Sequence, residues 1–382
     1  MDTKNITEPI LIRLPAALER LVRELSSEPI IAVDTESNSL YAYQEKVCLI
    51  QFSTPRNDYL VDPLALKNLS PLDPVFRSPK IEKVFHAAEY DLLCLKRDFG
   101  FEFNNLFDTM IAAGILGRQA LGLGTILKDE YGVQVDKRNQ RANWGQRPLP
   151  ENLLIYAQLD THYLIPLRNR LLKDLLDCRL LPLAEEDFKR ISDIKLNANG
   201  GSPPRDITAG CWRIRGAYEL EPQNAAVLLE LCRYRDAVAR SNNRPLFKVL
   251  GNQVLFSIAE LTPQSLDEIS QIPRMSDRMV KRHGRKLLGA VRRGMVSDPI
   301  YPPRHTRPGG NFLRRLEALR RWRKLTAQDM GVSSDVVLPR DLMYTLAKRP
   351  PQNVNELVAA MEIVPWRCEQ FGDQILAVLN PK

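Results

Sequence analysis

The stretch Ile31-Ala-Val-Asp-Thr-Glu-Ser37 decides how the chain is read, because an apolar run ends there in two carboxylates, Asp34 and Glu36, one residue apart. Ile30, Ile31, Ala32 and Val33 are β-branched or small, follow Pro29 and precede polar Ser37 and Asn38. They predict a short strand buried on both faces. In a strand, residues i and i+2 point to the same side, so Asp34 and Glu36 present two like charges on one face. Such a pair is costly unless a cation neutralises it or one acid holds a proton. An isolated D-x-E is more often a turn with a solvated acid, so this pair carries chemistry only if further carboxylates join it.

Outward from that strand the pattern is regular. Pro15 can open a helix, and Leu14, Leu18, Leu21, Val22 and Leu25 recur at helical spacing, which predicts an amphipathic helix over 15–26. Residues 47–54 (VCLIQFST) and 59–61, on either side of Pro55-Arg-Asn-Asp58, extend the first strand into an antiparallel meander. Residues 83–86 read as a fourth strand and 87–99 as a helix capped by Gly100. Another helix starts near Thr109 with Asp108 as its N-cap. Residues 131–150 show little periodicity and many basic and polar groups, and read as a long surface loop. Pro150 and Glu151 open a helix that carries Tyr156 and Asp160 and that Pro166 should kink or stop. Strands giving way to helices predict a mixed α/β sheet covered by helices.

The chain of 382 residues has room for two or three domains. Two Pro/Gly-rich stretches, 197–204 and 298–310, read as linkers. They divide it into 1–196, a linker 197–208, 209–296, a linker 297–309 and 310–382. The last two pieces repeat each other at a constant offset of 88 residues: Leu228 matches Leu316, Arg235 matches Arg323, Pro263 matches Pro351, Gly284 matches Gly372 and Leu288 matches Leu376. Two small helical domains of one kind follow from that register. The net charge of +8 is uneven: 25 basic against 28 acidic residues over 1–200 give −3, and 29 against 18 over 201–382 give +11. A basic second half suits a polyanion, while the first half acts on it. No run approaches the roughly 18 apolar residues of a membrane span, and the opening residues lack an apolar leader, so a soluble cytoplasmic protein is expected. Six scattered cysteines without a C-x-x-C predict reduced thiols, not a zinc site or disulfide framework.

Four carboxylates can converge if these elements abut one sheet: Asp34 and Glu36, Asp91 early in the helix after residue 86, and Asp160, which shares a helix face with Tyr156. Carboxylates without His or Cys partners favour hard ions, Mg²⁺ or Mn²⁺. These segments resemble a known family. I-A-V-D34-T-E36-S, V-F-H-A-A-E-Y-D91-L and Y156-A-Q-L-D160 are similar in order and spacing to the three motifs of the DEDD exonuclease superfamily. Tyr four residues before Asp160 places the chain in the DEDDy branch, and F107-D-T-M-I-A-A-G and W144-G-Q-R-P-L resemble the ribonuclease D family in particular. That family carries helical HRDC domains after its catalytic domain, which the 228–288 repeat resembles.

The resemblance implies an RNase H-like catalytic fold, two bound divalent ions, and 3′-to-5′ hydrolysis of RNA from a free 3′ end, with nucleoside 5′-monophosphates released. It implies that Asp34 bridges the ions, that Glu36 and Asp160 complete the water-activating site, that Asp91 supports the second ion, and that Tyr156 orients water. It further implies tRNA precursors as partners; a monomer is expected. His86 is expected to be packed, and Asp108 to cap a helix, with support of the site's carboxylates as its alternative role. In the 131–150 loop, Arg141, Trp144 and Arg147 are candidates for stacking on bases and pairing phosphates, or for pinning the loop to the core. In the basic half, Lys281, Arg282 and Arg285 are candidates for phosphate contacts. The alternatives are a 3′-to-5′ DNA exonuclease, since no residue visibly reads a 2′-hydroxyl, and a nucleic-acid-binding protein with a vestigial site.

Overall fold

A computed structural model describes residues 6–196, 206–303 and 309–381; residues 1–5 and 382, most of the expected linker 197–208 and part of the expected linker 297–309 lie outside the described residues. By contacts the chain divides into two units, one of residues 1–37, 47–196 and 307–382, the other of 38–46 and 197–306.

The first unit opens with β1 (Ile10–Ile12), α1 (Pro15–Ser27), β2 (Ile30–Ser37), β3 (Val47–Ser53) and β4 (Asp58–Val61). After α2 (Asp73–Arg77) come β5 (Glu82–Phe85), α3 (Glu89–Phe99), β6 (Leu106–Asp108) and α4 (Thr109–Ile115). The helices α5 (Leu123–Tyr131), α6 (Glu151–His162), α7 (Leu164–Asp177) and α8 (Leu181–Ser192) complete this part. The six strands form one mixed sheet in the order β1-β4-β3-β2-β5-β6, with β2 antiparallel to β3 and parallel to β5. On one face Ile31, Val33, Ile50 and Phe52 pack with α1 to α3, and on the other Ala32, Val84 and Phe107 pack with α4, α7 and α8. The expected meander is present, and two strands of three residues, β1 and β6, extend it at both edges.

The first strand carries both acids near its end, as expected: β2 runs to Ser37, and Asp34, Thr35 and Glu36 pair with Gln51, Ile50 and Leu49 before a bulge between Glu36 and Ser37. Two expectations are corrected. Pro166 neither kinks nor stops the helix of Asp160. That helix ends at His162, and Pro166 sits in the first turn of α7, where no N–H is needed. Cys211 and Cys232 are joined in the structure, because the helix Ile207–Trp212 packs on the helix Pro222–Ser241 and brings together residues 21 apart in sequence.

The same unit holds the second helical repeat: α15 (Gly310–Met330), α16 (Ser334–Val337), α17 (Arg340–Lys348), α18 (Val354–Ala360) and α19 (Pro365–Leu379), numbered after the helices of the other unit. It shares a core with the exonuclease-like part, Val336 and Trp366 packing with Leu183, Ala184 and Phe188. Arg367 is fully buried there. Its guanidinium donates to Glu186 at 2.9 Å, to Asp187 at 2.7 Å and to the Val336 carbonyl at 2.9 Å. Glu186 also accepts the N–H groups of Trp366 and Arg367 at the start of α19.

The second unit contains α9 (Ile207–Trp212), α10 (Pro222–Ser241), α11 (Leu246–Val249), α12 (Asn252–Leu261), α13 (Leu266–Ser270) and α14 (Asp277–Val296). Helices α10 to α14 begin at residues 222, 246, 252, 266 and 277, and α15 to α19 at 310, 334, 340, 354 and 365, each 88 later. Arg235 donates to the Leu250 carbonyl at 3.2 Å and Arg323 to the Leu338 carbonyl at 2.8 Å. Tyr234 meets His283 edge-on at 6.0 Å and Trp322 meets Phe371 at 5.9 Å. A Cβ on Gly294 would lie 2.4 Å from the Val227 Cα, so glycine is what lets α14 approach α10. Residues 38–46, between β2 and β3 in sequence, fold with this unit: the Tyr43 hydroxyl donates to Asp236 at 2.7 Å, and the Lys248 ammonium stands 3.7 Å over the Tyr41 ring. Among the described residues no helix is long and apolar enough to cross a membrane.

Candidate active site

Strand pairing fixes the first two carboxylates. Asp34 and Glu36 alternate with Thr35, so they share the face on which Leu49 and Leu60 pack with Leu153, Tyr156 and Ala157 of α6. Leu153, Tyr156, Ala157 and Asp160 recur at i, i+3, i+4 and i+7, and α6 lays this stripe across the sheet. Thr35 points to the opposite face, and its hydroxyl donates to the Asp91 carboxylate in the first turn of α3. Asp91 therefore reaches the site from one helical layer and Asp160 from the other, with β2 between them.

The electrostatics record this convergence. Burial raises the Asp34 carboxyl well above the usual range, and Asp91, Asp160 and Glu36 push it further. Glu36 is raised by burial, then by Asp160 and Asp91. Asp91 rises to about 7 through burial, against the hydrogen bond from Thr35. Asp160 rises to about 8 through burial, against a hydrogen bond from Tyr156. The Tyr156 phenol is pushed up by burial and by Asp160, Glu36 and Asp34. Asp34 and Glu36 thus lie in the field of both Asp91 and Asp160.

Among the described residues no lysine or arginine is ion-paired with these four acids, and no three His, Cys, Asp or Glu side chains stand at coordinating spacing. The donor set is all oxygen and negatively charged, with Asp91 and Asp160 buried and Asp34 and Glu36 half-buried. Its chemistry fits a hard divalent cation, which would satisfy the mutual repulsion, and not zinc.

The other candidates fall elsewhere. His86 follows β5 and its Nδ1 meets the Thr109 hydroxyl at 2.9 Å, so it is packed as expected. Asp108 accepts from the N–H groups of Met110 and Ile111, the expected cap. Trp144 does not face solvent: it is 1% exposed, with its ring 6.1 Å from that of Tyr156. Arg147 is taken by Asp62, with two contacts of 2.7 Å, and by the Cys48 and Trp144 carbonyls. Both residues pin the loop to the sheet, because a buried indole and a buried carboxylate partner leave neither side chain outward. Arg141 is exposed at the end of a 3₁₀ turn, Lys137–Arg141. Lys281, Arg282 and Arg285 lie exposed on α14, and Arg278 shares their face, while His283 between them is buried.

Two residues carry signals that the sequence reading did not use. Gln51 is fully buried opposite Asp34, and neither amide atom has a partner. A lone amide in the otherwise apolar VCLIQF run was the available clue. Gln140, in the 3₁₀ turn, hydrogen-bonds the Tyr156 side chain.

Residues 9–176 match the 3′-5′ exonuclease family, and residues 224–291 and 312–379 each match the HRDC domain. The chain is 29% identical to ribonuclease D of Pseudomonas paraeruginosa over 97% of each protein. Among solved structures, RNase D of Escherichia coli, described as an exoribonuclease involved in structured RNA processing, is similar with a TM-score of 0.67 and 26% identity, over 98% of this chain and 99% of that one. The catalytic core of RRP6 from Trypanosoma brucei is similar with a TM-score of 0.66 and 31% identity, over 78% and 83%. The chain spans less than half the length of the full RRP6-like relatives it matches.

Proposed function

The chain belongs to the 3′-5′ exonuclease family, with HRDC domains following the exonuclease domain, and from that premise we propose that it is a ribonuclease D-like 3′-5′ exoribonuclease. The observation that carries this reading is the convergence of Asp34, Glu36, Asp91 and Asp160, two half-buried and two buried acids with no ion-paired base among the described residues, around a tyrosine that hydrogen-bonds one of them. On this reading the four carboxylates and Tyr156 are the catalytic residues, and the reaction releases nucleoside 5′-monophosphates from RNA with a free 3′ end, tRNA precursors among them. The domain limits 1–196, 209–296 and 310–382, a monomeric state and a cytoplasmic location belong to the same proposal.

Two divalent ions, Mg²⁺ or Mn²⁺, held by Asp34, Glu36, Asp91 and Asp160, would supply positive charge at the scissile phosphate and at the attacking and leaving oxygens. The protein's own part is to hold the acids rigidly: β3 pairs with β2 through Asp34 and Glu36, β5 anchors the start of β2 at Ile30 to Ala32, and Thr35 fixes Asp91 through its hydroxyl. Tyr156 stays protonated, because it is buried and its neighbours are anionic; with its one proton turned to Asp160, its oxygen would orient water as an acceptor, and it does not act as a base. Asp160, as acceptor of that hydroxyl, fixes its direction.

The test is trimming of a 5′-labelled single-stranded RNA, beside DNA of the same sequence, with Mn²⁺ or Mg²⁺ and with a chelator. Stepwise shortening of RNA that needs the ion, and that Asp34→Ala or Asp160→Ala abolishes without loss of RNA binding, is the expected result. Intact protein that binds but never trims would favour a vestigial site, and preference for DNA would favour a DNA exonuclease.

A further inference from the structure

We propose that Asp108 is a positioning residue for the site: it straps the turn from β5 into α3 in the conformation that aims Asp91. The inference rests on the exoribonuclease reading, since it concerns how one of that site's carboxylates is placed.

Ala87 lies between β5 and α3 with φ +63°, in the left-handed region that a residue with a Cβ enters only against backbone strain. The surroundings must hold it there. Asp108 is 1% exposed, and its carboxylate accepts four backbone N–H groups. Oδ1 takes those of Ala87 at 3.2 Å, Met110 at 2.8 Å and Ile111 at 3.1 Å, and Oδ2 takes that of Ala88 at 2.7 Å. The Met110 and Ile111 bonds are those of an ordinary N-cap. The Ala87 and Ala88 bonds are different: they come from residues 21 and 20 positions earlier, brought alongside by the pairing of Phe85 with Asp108.

Those two bonds fix the entry into α3. From Ala88 onward the backbone is helical, with the Leu92 N–H donating to the Ala88 carbonyl at 2.9 Å. A rotation at Ala87 therefore carries Asp91 with it, away from Thr35 and Asp34. Glycine at position 87 would adopt this φ freely but would leave the turn loose. Alanine held by a carboxylate makes it rigid, which suits a ligand that must stand within a fraction of an ångström of its place.

Asp108→Asn keeps the size of the side chain but sets an NH₂ group against one of the donors, whichever way the amide is turned. Asp108→Ser retains an N-cap acceptor for Met110 and Ile111 but is too short to reach Ala88, so it separates capping from strapping. The full chain is titrated with Mn²⁺ by thermal shift, and trimming of single-stranded RNA is followed in parallel. Both variants are expected to raise the Mn²⁺ midpoint and lower kcat about 10- to 100-fold while KM for RNA stays within about two-fold. Adding Ala87→Gly to Asp108→Asn is expected to recover about five-fold or more, because glycine removes the left-handed cost. A variant that is folded by circular dichroism yet keeps the wild-type midpoint and kcat overturns the inference, as does a loss that Ala87→Gly leaves untouched. Failure of the wild-type chain itself to respond to Mn²⁺ or to trim RNA would overturn the exoribonuclease reading and this inference with it.

Discussion

Asp34 shares its face of β2 with Glu36 and stands opposite Gln51, so three polar groups interrupt an apolar sheet at one place. A carboxyl whose pKa is higher in the fold than in the unfolded chain makes folding less favourable as pH rises from the unfolded value, near about 4, through the folded one. For Asp91 and Asp160 the folded values are about 7 and about 8. In chelator the melting temperature should therefore fall between about pH 5 and pH 8. Asp34→Asn, which removes one of the mutually repelling charges, should raise it at pH 8 and shrink the gain that Mn²⁺ gives, both read by thermal shift. A melting temperature that is flat across this range would show that the acids do not oppose one another. Gln51 gives a second prediction. Gln51→Met should remove two unpartnered buried polar atoms and stabilise the fold by about 1 kcal/mol, measured by urea unfolding, yet lower kcat, because the amide stands beside what Asp34 binds. Equal or higher kcat in this variant would make Gln51 a packing residue only.

The elements were legible in proportion to their length and periodicity. Helix α1 and strands β2 to β4 follow from Leu and β-branched spacing, and Asp108, Gly100 and Pro150 mark helix ends as their chemistry predicts. Strands β1 and β6, three residues each, carry too few residues for a period to show, and only their neighbours in the sheet make them strands. The carboxylates of the site were legible because motif spacing survives folding. The loop 131–150 was not, since its organising contacts are with the sheet: Arg147 with Asp62, and Trp144 with Tyr156. Burial opposes the ionised Asp62 carboxyl, but Arg147 more than offsets it and holds the group below its ordinary range. Arg147→Ala should leave that acid with only the half-exposed Arg13, at 3.6 Å, and the N–H groups of Leu64 and Ala65, and cost on the order of 1–3 kcal/mol in urea unfolding at pH 7. The deficit should narrow as pH falls through the depressed Asp62 pKa, where protonation removes the charge in both proteins. A deficit that does not depend on pH would place the cost in packing and not in the ion pair.

At the scale of the whole molecule the 88-residue repeat conceals a difference of employment. The second copy shares a core with the exonuclease part of its unit, and Arg367 is the buried centre of that junction. Removing one partner of a buried ion pair leaves the other uncompensated, so Arg367→Ala should cost about 3–5 kcal/mol and expose amides of α16 and α19 to hydrogen exchange. Unchanged protection there would show that apolar packing alone holds the copy in place. Two cations of this copy, Arg315 and Arg323, are also engaged by the carbonyls of Ala347 and Leu338. The first copy is used otherwise. Helix α14 buries Leu287, Ala290, Val291 and Gly294, and it exposes Arg278, Lys281, Arg282 and Arg285 at the i, i+3, i+4 and i+7 positions of one face. Among the described residues none of these four has an ion-pair partner, so each can release a counterion by meeting a phosphate. Replacing Lys281, Arg282 and Arg285 by Gln should then weaken RNA binding and reduce the slope of log K against log salt by about 2, at roughly 0.7–0.9 per phosphate contact. Hydrolysis of RNA too short to reach α14 should be unaffected, which separates gripping from chemistry. The measurement is affinity for a tRNA-length RNA at several salt concentrations. An unchanged slope would assign the +11 charge of this half to solvation, whereas a reduced slope with unaltered hydrolysis of short RNA makes α14 the surface that holds the polymer while the carboxylates cut it.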